Sequence, residues 1–182
     1  MVYRVGILGL KGHQGVVLNS IPKIDDVVLS AVADDSEEAL MRIKKHPAVT
    51  SDTKFYRNIS ELLEEEKIDI ACVSGTDGER SHVLLECMNR GIHVLSEKPL
   101  TMTLDELSMV KEAYNSSGVV LSMLLTMRFS PSYRKIREVV TSGIIGEVCL
   151  ANAQKSYKLG DRPEWQKSHK TFSSTLAFIG IH

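Results

Sequence analysis

The sequence has little of what would mark an extracellular, membrane or nucleic-acid-binding protein. Its three cysteines, Cys72, Cys87 and Cys149, are scattered and odd in number, so they suggest neither a disulfide framework nor a zinc knuckle. Its 22 basic residues are balanced by 23 acidic ones, whereas phosphate binding along a nucleic acid needs a basic surface. No apolar run reaches the roughly 18 residues of a membrane span. We therefore expect no nucleic-acid partner, no membrane partner and a reducing, cytoplasmic location.

Metal-binding patterns are also lacking. No pair among the six histidines has the spacing of metal ligands, and we expect no metal site. What the sequence does have is a hydrophobic content of 43% and a charged content of 25%, which are typical of a globular domain with a substantial core. Its 182 residues are enough for one full domain and the start of another.

Short apolar runs alternate with helical segments through the first two thirds of the chain. A continuous apolar run is typical of a parallel strand that is covered on both faces. The runs that predict such strands are 5–8, 27–33, 68–73, 92–95 and 119–125. This alternation predicts an α/β fold with a Rossmann-type doubly wound parallel sheet, in which ligands bind at the carboxyl ends of the strands.

A glycine-rich turn separates the first predicted strand from the first predicted helix. Glycines in this place allow a tight turn and let the backbone approach a pyrophosphate at the helix N-terminus. The spacing is Gly-x-x-Gly-x-x-Gly, and Lys11 stands near the second glycine of the more usual Gly-x-Gly-x-x-Gly. The turn predicts a dinucleotide site, although an ordinary turn without a nucleotide is the alternative. The predicted cofactor-binding residues here are Gly9, Lys11, Gly12, His13, Gln14 and Gly15.

An acidic residue follows the second predicted strand, about twenty residues beyond the turn. Asp34 is placed to accept hydrogen bonds from the adenosine ribose and to repel a 2′-phosphate, so NAD is favoured over NADP. Its neighbour Asp35 is a possible substitute, and the alternative role of a solvated cap or turn residue before Ser36 suits Asp35 better than it suits Asp34. We assign Thr76, which follows the third predicted strand, to the same cofactor site.

The tripeptide Glu97-Lys98-Pro99 follows the fourth predicted strand. A cation beside a dinucleotide site polarises a carbonyl group, and a lysine with a lowered pKa transfers a proton, which is the chemistry that hydride transfer requires. The alternative for Lys98 is a solvent-exposed lysine at a strand end. Pro99 removes a backbone donor and fixes the local turn, so we expect its role to be structural.

Together these segments resemble the Gfo/Idh/MocA family of oxidoreductases, which includes glucose-fructose oxidoreductase and inositol dehydrogenase. Members have a Rossmann domain followed by an α/β domain whose open sheet covers the substrate and often mediates oligomers. They move hydride between a nicotinamide and a sugar, an inositol or a related hydroxyl or carbonyl carbon. The segments that carry the resemblance are 9–15, Asp34, 91–100, 128–131, 143–148 and 180–182.

The resemblance also implies roles for individual residues. Lys98 would lie beside the nicotinamide and the reacting oxygen, in both catalysis and cofactor binding, and Glu97 would help to order the cofactor. His182 matches the histidine of the family's late Asp-x-x-x-His pair and is the second predicted catalytic residue. Phe178 stands where the aspartate of that pair is expected, and Ser173-Ser174 replaces a glycine pair upstream.

The resemblance also implies a division of the chain. Residues 1–127 would form the NAD-binding Rossmann domain, and 128–182 the beginning of a C-terminal substrate and oligomerisation domain, which we expect to be truncated. In that second region, the alternation over 147–157 predicts a strand with an exposed face. We expect the tail after about Arg128 to be mobile or to pair with another copy.

Three functions remain open from the sequence. The first is an NAD-dependent dehydrogenase or reductase acting on a sugar-like small molecule, homo-oligomeric when full length, of which this chain alone would be inactive. The second is a non-catalytic dinucleotide-binding or interaction protein, which Phe178 and the Ser173-Ser174 replacement favour. The third is a reductase of the dihydrodipicolinate reductase type, whose glycine spacing is closer but whose pattern lacks the Glu97-Lys98-Pro99 context.

Overall fold

The computed structural model describes residues 1–154, 156 and 160–180. The strands in this part of the chain form one six-stranded sheet in the order β3-β2-β1-β4-β5-β6, and every neighbouring pair is parallel. This arrangement confirms the predicted Rossmann-type doubly wound sheet. The strands are β1 Tyr3–Leu8, β2 Val27–Ala33, β3 Lys54–Tyr56, β4 Ile70–Val73, β5 His93–Ser96 and β6 Leu121–Met123.

Helices follow the strands and cover the sheet. Short 3-10 segments occur at Ile21–Lys23, Thr126–Phe129 and Glu164–Gln166. The α-helices of the described residues are α1 Gln14–Ser20, α2 Glu37–Ile43, α3 Ile59–Glu65, α4 Asp77–Asn89, α5 Leu104–Ser117, α6 Pro131–Thr141 and α7 Thr175–Gly180.

Two hydrophobic clusters lie on the two faces of the sheet, because successive side chains of a strand point to opposite faces. Ile7, Val32 and Cys72 pack in the cluster that also contains side chains of α1 and α2. Their neighbours along the strands, such as Leu8 and Val73, pack with side chains of α3, α4 and α5. Burial on both faces explains why these strands are apolar without interruption.

The strand order reverses between β1 and β4, which pair directly although β2 and β3 lie between them in the chain. In an open α/β sheet the crevice at such a reversal, outside the carboxyl ends of the strands, is where ligands bind. The turns that follow β1 and β4 meet at this point, because the Ser74 N–H donates to the Leu8 carbonyl and the Lys11 N–H to the Ser74 carbonyl.

Local capping fixes the start of α5, the helix that follows Glu97-Lys98-Pro99. The segment Thr103-Leu104-Asp105-Glu106 has the sequence of a capping box, and the structure forms it: the Thr103 hydroxyl accepts from the Glu106 N–H, and the Glu106 carboxylate accepts from the Thr103 N–H. The helix stops at Gly118, whose φ of 68° lies in the left-handed region that favours glycine.

The structure differs from the sequence-based prediction in three elements. Strand β3 was not predicted, since its three residues do not form an apolar run. The apolar stripe of the sequence predicts a helix over 81–90, but helix α4 begins earlier, at Asp77, because the polar residues of its first turn do not show the stripe. The predicted strand 147–157 does not form in its described part, 147–154. A strand needs a hydrogen-bonding partner, and the described residues provide none along this segment.

Part of the tail also differs from expectation, because it packs against the Rossmann sheet's helices. The Asp77 N–H donates to the Thr171 carbonyl, and the Asp77 carboxylate accepts from the N–H and the hydroxyl of Ser173. The backbone of Lys170 passes directly over Gly78, in contact with the place where a larger residue would carry its Cβ. Residues 170–173 are therefore attached to the N-terminus of α4.

No helix among the described residues is long and apolar enough to cross a membrane. The three cysteines carry free thiols: Cys72 and Cys87 are buried and Cys149 is exposed. Burial, with a smaller effect of the Glu86 charge, raises the pKa of Cys87 to about 12.

We predict that Cys72→Ser lowers the free energy of unfolding by about 1–3 kcal/mol, because it places a hydroxyl in the apolar interior of β4. Cys149→Ser is the matched control, and it should change stability by less than about 0.5 kcal/mol since Cys149 is exposed. Urea denaturation followed by circular dichroism measures both. Equal stability of the two variants would contradict the burial of Cys72.

Candidate functional site

The glycine turn between β1 and α1 is tight enough to need glycine at two of its positions. Gly9 has a φ of 91°, and a Cβ there would lie 2.5 Å from the backbone nitrogen of Gly75. A Cβ on Gly12 would lie 2.6 Å from Cγ of Glu97. By contrast, a Cβ on Gly15 would meet nothing within 4 Å, so its glycine is not required by packing within the protein.

Two side chains hold the turn in shape. The Gln14 amide oxygen accepts from the Gly12 N–H at 2.9 Å and from the Ser74 hydroxyl at 3.1 Å. His13 precedes the first residue of α1, and its N–H and its ring nitrogen Nδ1 both contact the Glu97 carboxylate, Nδ1 at 2.6 Å from Oε1. Sequence reasoning placed Gln14 and His13 at the cofactor, and the structure gives both a role in supporting the turn.

A cavity of about 440 Å³ opens beside the turn, at the reversal of strand order. Its wall includes Gly9 after β1, Asp34 after β2 and Gly75 after β4, together with Lys11 and Arg57. The carboxyl ends of three neighbouring strands therefore meet around one space, as the predicted fold requires of a ligand site.

Asp34 is only 3% exposed, and its carboxylate is held in place by backbone donors. Oδ2 accepts from the Leu10 N–H at 2.7 Å and Oδ1 from the Ser36 N–H at 2.9 Å. Burial raises the pKa of Asp34 above its ordinary value, although the two backbone hydrogen bonds act in the opposite direction. Since each carboxylate oxygen has a second acceptor site, Asp34 is still able to accept from a ligand hydroxyl.

Asp35 and Lys11 form an ion pair at the rim of the same cavity, with Lys11 Nζ 2.8 Å from Asp35 Oδ1. The hydrogen bond from Lys11 lowers the pKa of Asp35. Burial acts to lower the pKa of Lys11, but the hydrogen bond and the charge of Asp35 outweigh it, so that the pKa is raised. Both partners are therefore charged at neutral pH.

The tripeptide that follows β5 is buried. Glu97 and Lys98 are each 1% exposed, so the alternative of a solvent-exposed lysine at a strand end does not apply. Glu97 Oε2 accepts from the Lys98 N–H at 3.0 Å, while Oε1 faces His13. Burial acts to raise the pKa of Glu97, but its hydrogen bonds with His13 outweigh burial and leave the pKa lowered. Glu97 thus joins the glycine turn to the backbone of Lys98.

Three aromatic rings from the tail, Trp165, Phe172 and Phe178, pack against one another with centroids 5.4–6.3 Å apart. Phe178 lies over the Lys98 ammonium, with Nζ 2.8 Å from the ring centroid, which is within the range of a cation–π interaction. The residue that departs from the family pattern therefore contacts the predicted catalytic lysine itself.

A buried ion pair at the start of α4 was missed by the sequence reasoning. Arg80 and Asp77 are 2% and 1% exposed, and Arg80 Nη1 donates to Asp77 Oδ1 at 3.0 Å. Arg80 also donates to the carbonyls of Pro99, at 2.5 Å, and Gly75, at 3.0 Å. The pair thereby connects the Lys98-Pro99 loop, the cavity wall and the tail. In the sequence, the local feature that indicates the Asp77–Arg80 ion pair is the spacing of two opposite charges three residues apart.

Two further residues were predicted to belong to the site, Thr76 and His182. The Thr76 hydroxyl donates to Glu79 Oε2 at 2.6 Å, just before the first turn of α4. His182 lies outside the described residues. Within the described part of the chain, no group of three or more histidine, cysteine, aspartate and glutamate side chains is arranged to hold a metal ion.

The fold and the cavity at the strand reversal define a dinucleotide-binding α/β domain of the Rossmann type. A family profile described as an oxidoreductase family with an NAD-binding Rossmann fold matches residues 3–125. The chain therefore belongs to the Gfo/Idh/MocA family of oxidoreductases, as its motifs indicated.

Individual relatives agree with this assignment. The chain is 28% identical to a myo-inositol 2-dehydrogenase of Thermotoga maritima over 79% of this chain and 42% of that protein. It is 26% identical to an NADP(+)-dependent scyllo-inositol 2-dehydrogenase of Bacillus subtilis over 98% of this chain and 49% of that protein. The chain thus spans about half the length of the curated relatives it matches.

A solved structure from Thermotoga maritima, described as that of an oxidoreductase, superposes with a TM-score of 0.89. It is 28% identical in sequence, and the match covers 98% of this chain and 55% of that one. The likeness therefore extends beyond the Rossmann sheet into the region after Arg128.

We predict that Asp77→Ala lowers the free energy of unfolding by about 3–5 kcal/mol, because it leaves the buried Arg80 charge without its carboxylate partner. It should also speed amide hydrogen exchange at Ser173, whose N–H bonds to Asp77. Ser173→Ala, which removes one hydroxyl from the same carboxylate and keeps the ion pair, should cost roughly 1 kcal/mol. If both variants unfold at the same urea concentration, the ion pair does not have the importance assigned to it.

Proposed function

We propose that the protein is an NAD(H)-dependent oxidoreductase that transfers hydride between a nicotinamide and a sugar-like small molecule. The observation that carries the proposal is the convergence of Gly9, Asp34 and Lys98 after β1, β2 and β5 of one parallel sheet. A phosphate turn, a ribose acceptor and a buried cation are the three groups that such an enzyme needs from its cofactor domain.

The residues around the cavity fit a dinucleotide. Gly9 and Gly12 let the turn pack closely against Gly75 and Glu97, and the space beside Gly15 is open, since a Cβ there would meet nothing within 4 Å. An open, glycine-shaped turn before α1 suits a pyrophosphate at the helix N-terminus. Asp34 has acceptor capacity for the ribose hydroxyls of NAD, and its negative charge disfavours a 2′-phosphate. A bound nicotinamide would supply the hydride donor or acceptor.

Lys98 is the group of this chain that we assign to the proton chemistry. In our proposal its Nζ holds or releases the proton of the substrate oxygen, because a cation in a buried site stabilises negative charge far better than one in water. Glu97 positions it by accepting from its backbone N–H and by anchoring the glycine turn through His13. We also keep His182 as a proposed partner in acid–base catalysis, on the strength of the motif alone.

The substrate class and the assembly follow from the relatives and are proposals. Both curated relatives reported above act on inositols, so a ring carrying several hydroxyls is the substrate class that we propose. We further propose that residues 1–127 form the cofactor domain, that 128–182 begin a substrate domain, and that the full-length protein is a cytoplasmic homo-oligomer. The free thiols of Cys72, Cys87 and Cys149 support a reducing compartment.

One observation favours a second candidate, a dinucleotide-binding protein without catalysis. Phe178 covers the Lys98 ammonium at 2.8 Å from its ring centroid, in the space that a reacting oxygen would need. If the protein is an enzyme, α7, which carries Phe178, has to shift so that the substrate oxygen can reach Lys98. If the protein only binds a dinucleotide, Phe178 can stay over Lys98.

We predict that the 182-residue chain binds NADH and that it binds NADPH more weakly, because Asp34 repels the 2′-phosphate. Asp34→Ala should bring the affinities for NADH and NADPH closer together. Isothermal titration calorimetry with each cofactor measures the two affinities. Circular dichroism checks that the variant is folded, since the Asp34 carboxylate also accepts from the backbone N–H groups of Leu10 and Ser36. Equal affinity of the unmodified protein for the two cofactors would refute the role of Asp34, and failure to bind either would refute the proposed function.

We predict that Lys98→Met leaves NADH affinity within a few-fold but lowers turnover of the best inositol or sugar substrate by about 10²-fold or more, the scale of a lost acid–base contribution. Turnover is measured on a form of the protein that shows dehydrogenase activity with an inositol or a sugar. Phe178→Ala is the companion variant, which should not lower NADH affinity. Unchanged turnover in Lys98→Met would make Lys98 structural and favour the non-catalytic candidate.

A further inference from the structure

The rim of the cavity carries a charge arrangement that Asp34 does not explain. Lys11 and Asp35 form their ion pair there, and the two partners differ in exposure: the Lys11 side chain is 23% exposed and that of Asp35 is 72% exposed. Both side chains line the cavity, and the Asp35 carboxylate is the more exposed of the two. Asp34 and Glu79, which line the same cavity, add to the negative charge that Lys11 experiences.

A second cation stands beside this pair. Arg57 lines the cavity, donates from Nη2 to the main-chain carbonyl of Asp35 at 2.5 Å, and pairs through Nη1 with Glu37 at 3.3 Å. Arg57 thus holds the backbone of Asp35 and leaves the Asp35 side chain to Lys11. The rim has two cations as well as the carboxylates of Asp34 and Asp35.

The two adjacent aspartates differ in their freedom to move. Asp34 is buried and accepts from two backbone N–H groups, so its position is fixed by the main chain of the turn and of the α2 N-terminus. Among the described residues, Asp35 accepts a hydrogen bond from the Lys11 ammonium, and its side chain is largely in solvent. Because neither charge is fully buried, opening the Lys11–Asp35 pair costs less than breaking a buried ion pair would.

We infer that the Lys11–Asp35 pair controls how strongly the site discriminates against an adenosine 2′-phosphate, and that Lys11 is the residue that binds this phosphate when Asp35 does not hold it. The inference rests on the proposed dinucleotide function and adds a specificity-determining residue to it. In the intact pair, Asp35 neutralises Lys11 and faces an incoming phosphate with its own charge.

The chemistry of the ligand supports this division of roles. A phosphate monoester carries a charge between about -1.5 and -2 at neutral pH, and a lysine ammonium binds it as a point charge. Removal of the Asp35 charge has two separable effects: it relieves repulsion of the phosphate, and it releases the Lys11 ammonium. Asp34 is unchanged and continues to accept from the ribose hydroxyls. The affinity for NAD, which lacks the 2′-phosphate, therefore depends little on the Lys11–Asp35 pair.

The test is a double-mutant cycle on the 182-residue chain, with NAD⁺ and NADP⁺ titrated separately by calorimetry at fixed low salt. Asp35→Asn should tighten NADP⁺ binding about tenfold, the effect of one charge near a phosphate, and change NAD⁺ binding less than about threefold. Lys11→Met, which keeps the apolar stem, should weaken NADP⁺ selectively. The double variant should lose most of the gain that Asp35→Asn produces.

Glu38→Gln is the matched control, because it removes one negative charge from the first turn of α2, where Glu38 pairs with Arg42 at 3.7 Å away from the cavity wall. It should leave the ratio of the two affinities unchanged. Adenosine 2′,5′-bisphosphate and 5′-AMP, titrated in parallel, restrict the comparison to the ribose end. Thermal denaturation of each variant verifies that it is folded.

The outcomes separate this inference from the proposed function. An affinity ratio that does not change in Asp35→Asn, while NAD⁺ still binds, would overturn the inference and leave the dinucleotide site intact. A gain that persists in the double variant would also overturn it, because relief of repulsion alone would then account for the effect. Absence of binding by either nucleotide to the folded, unmodified chain would instead refute the proposed function itself.

Discussion

The geometry of the site depends on one buried carboxylate, that of Glu97. Its Oε1 faces the backbone and the ring of His13 in the glycine turn, its Oε2 accepts from the Lys98 N–H, and its Cγ fills the space that Gly12 leaves free. The turn after β1 and the loop after β5 are far apart in sequence, and this side chain makes them one unit. Because the carboxylate is buried, its negative charge is stabilised by these donors and by the nearby Arg80 charge rather than by water.

The Asp77–Arg80 pair has the corresponding role on the other side of the cavity. Arg80 satisfies two main-chain carbonyls that would otherwise be buried without donors, and Asp77 receives the tail through Ser173. Phe178, one of the three aromatic rings of the tail, then lies over Lys98. Since Lys98 is only 1% exposed, its charge is withheld from water, and its interactions with neighbouring groups are stronger than they would be in water.

The sequence predicts those parts of the fold and site that local patterns determine. Apolar runs indicated β1, β2 and β4, because burial on both faces leaves no polar positions, and the glycine turn and Asp34 follow from their place at strand ends. β3 escaped prediction because a three-residue strand has no measurable period. Local patterns also cannot indicate pairings such as Asp77 with Ser173 or His13 with Glu97, which are 96 and 84 residues apart. These contacts come from the folded topology, and they hold the glycine turn and the tail in place.

The single tryptophan of the chain, Trp165, belongs to the aromatic cluster that covers Lys98. Its indole packs edge-on against Phe172 and Phe178, the latter being the ring in contact with the ammonium. Ultraviolet emission excited at the indole band therefore originates from one place in the molecule, beside the rings that lie next to Lys98. The protein contains an intrinsic optical reporter for the movement of its tail, and this reporter needs no label.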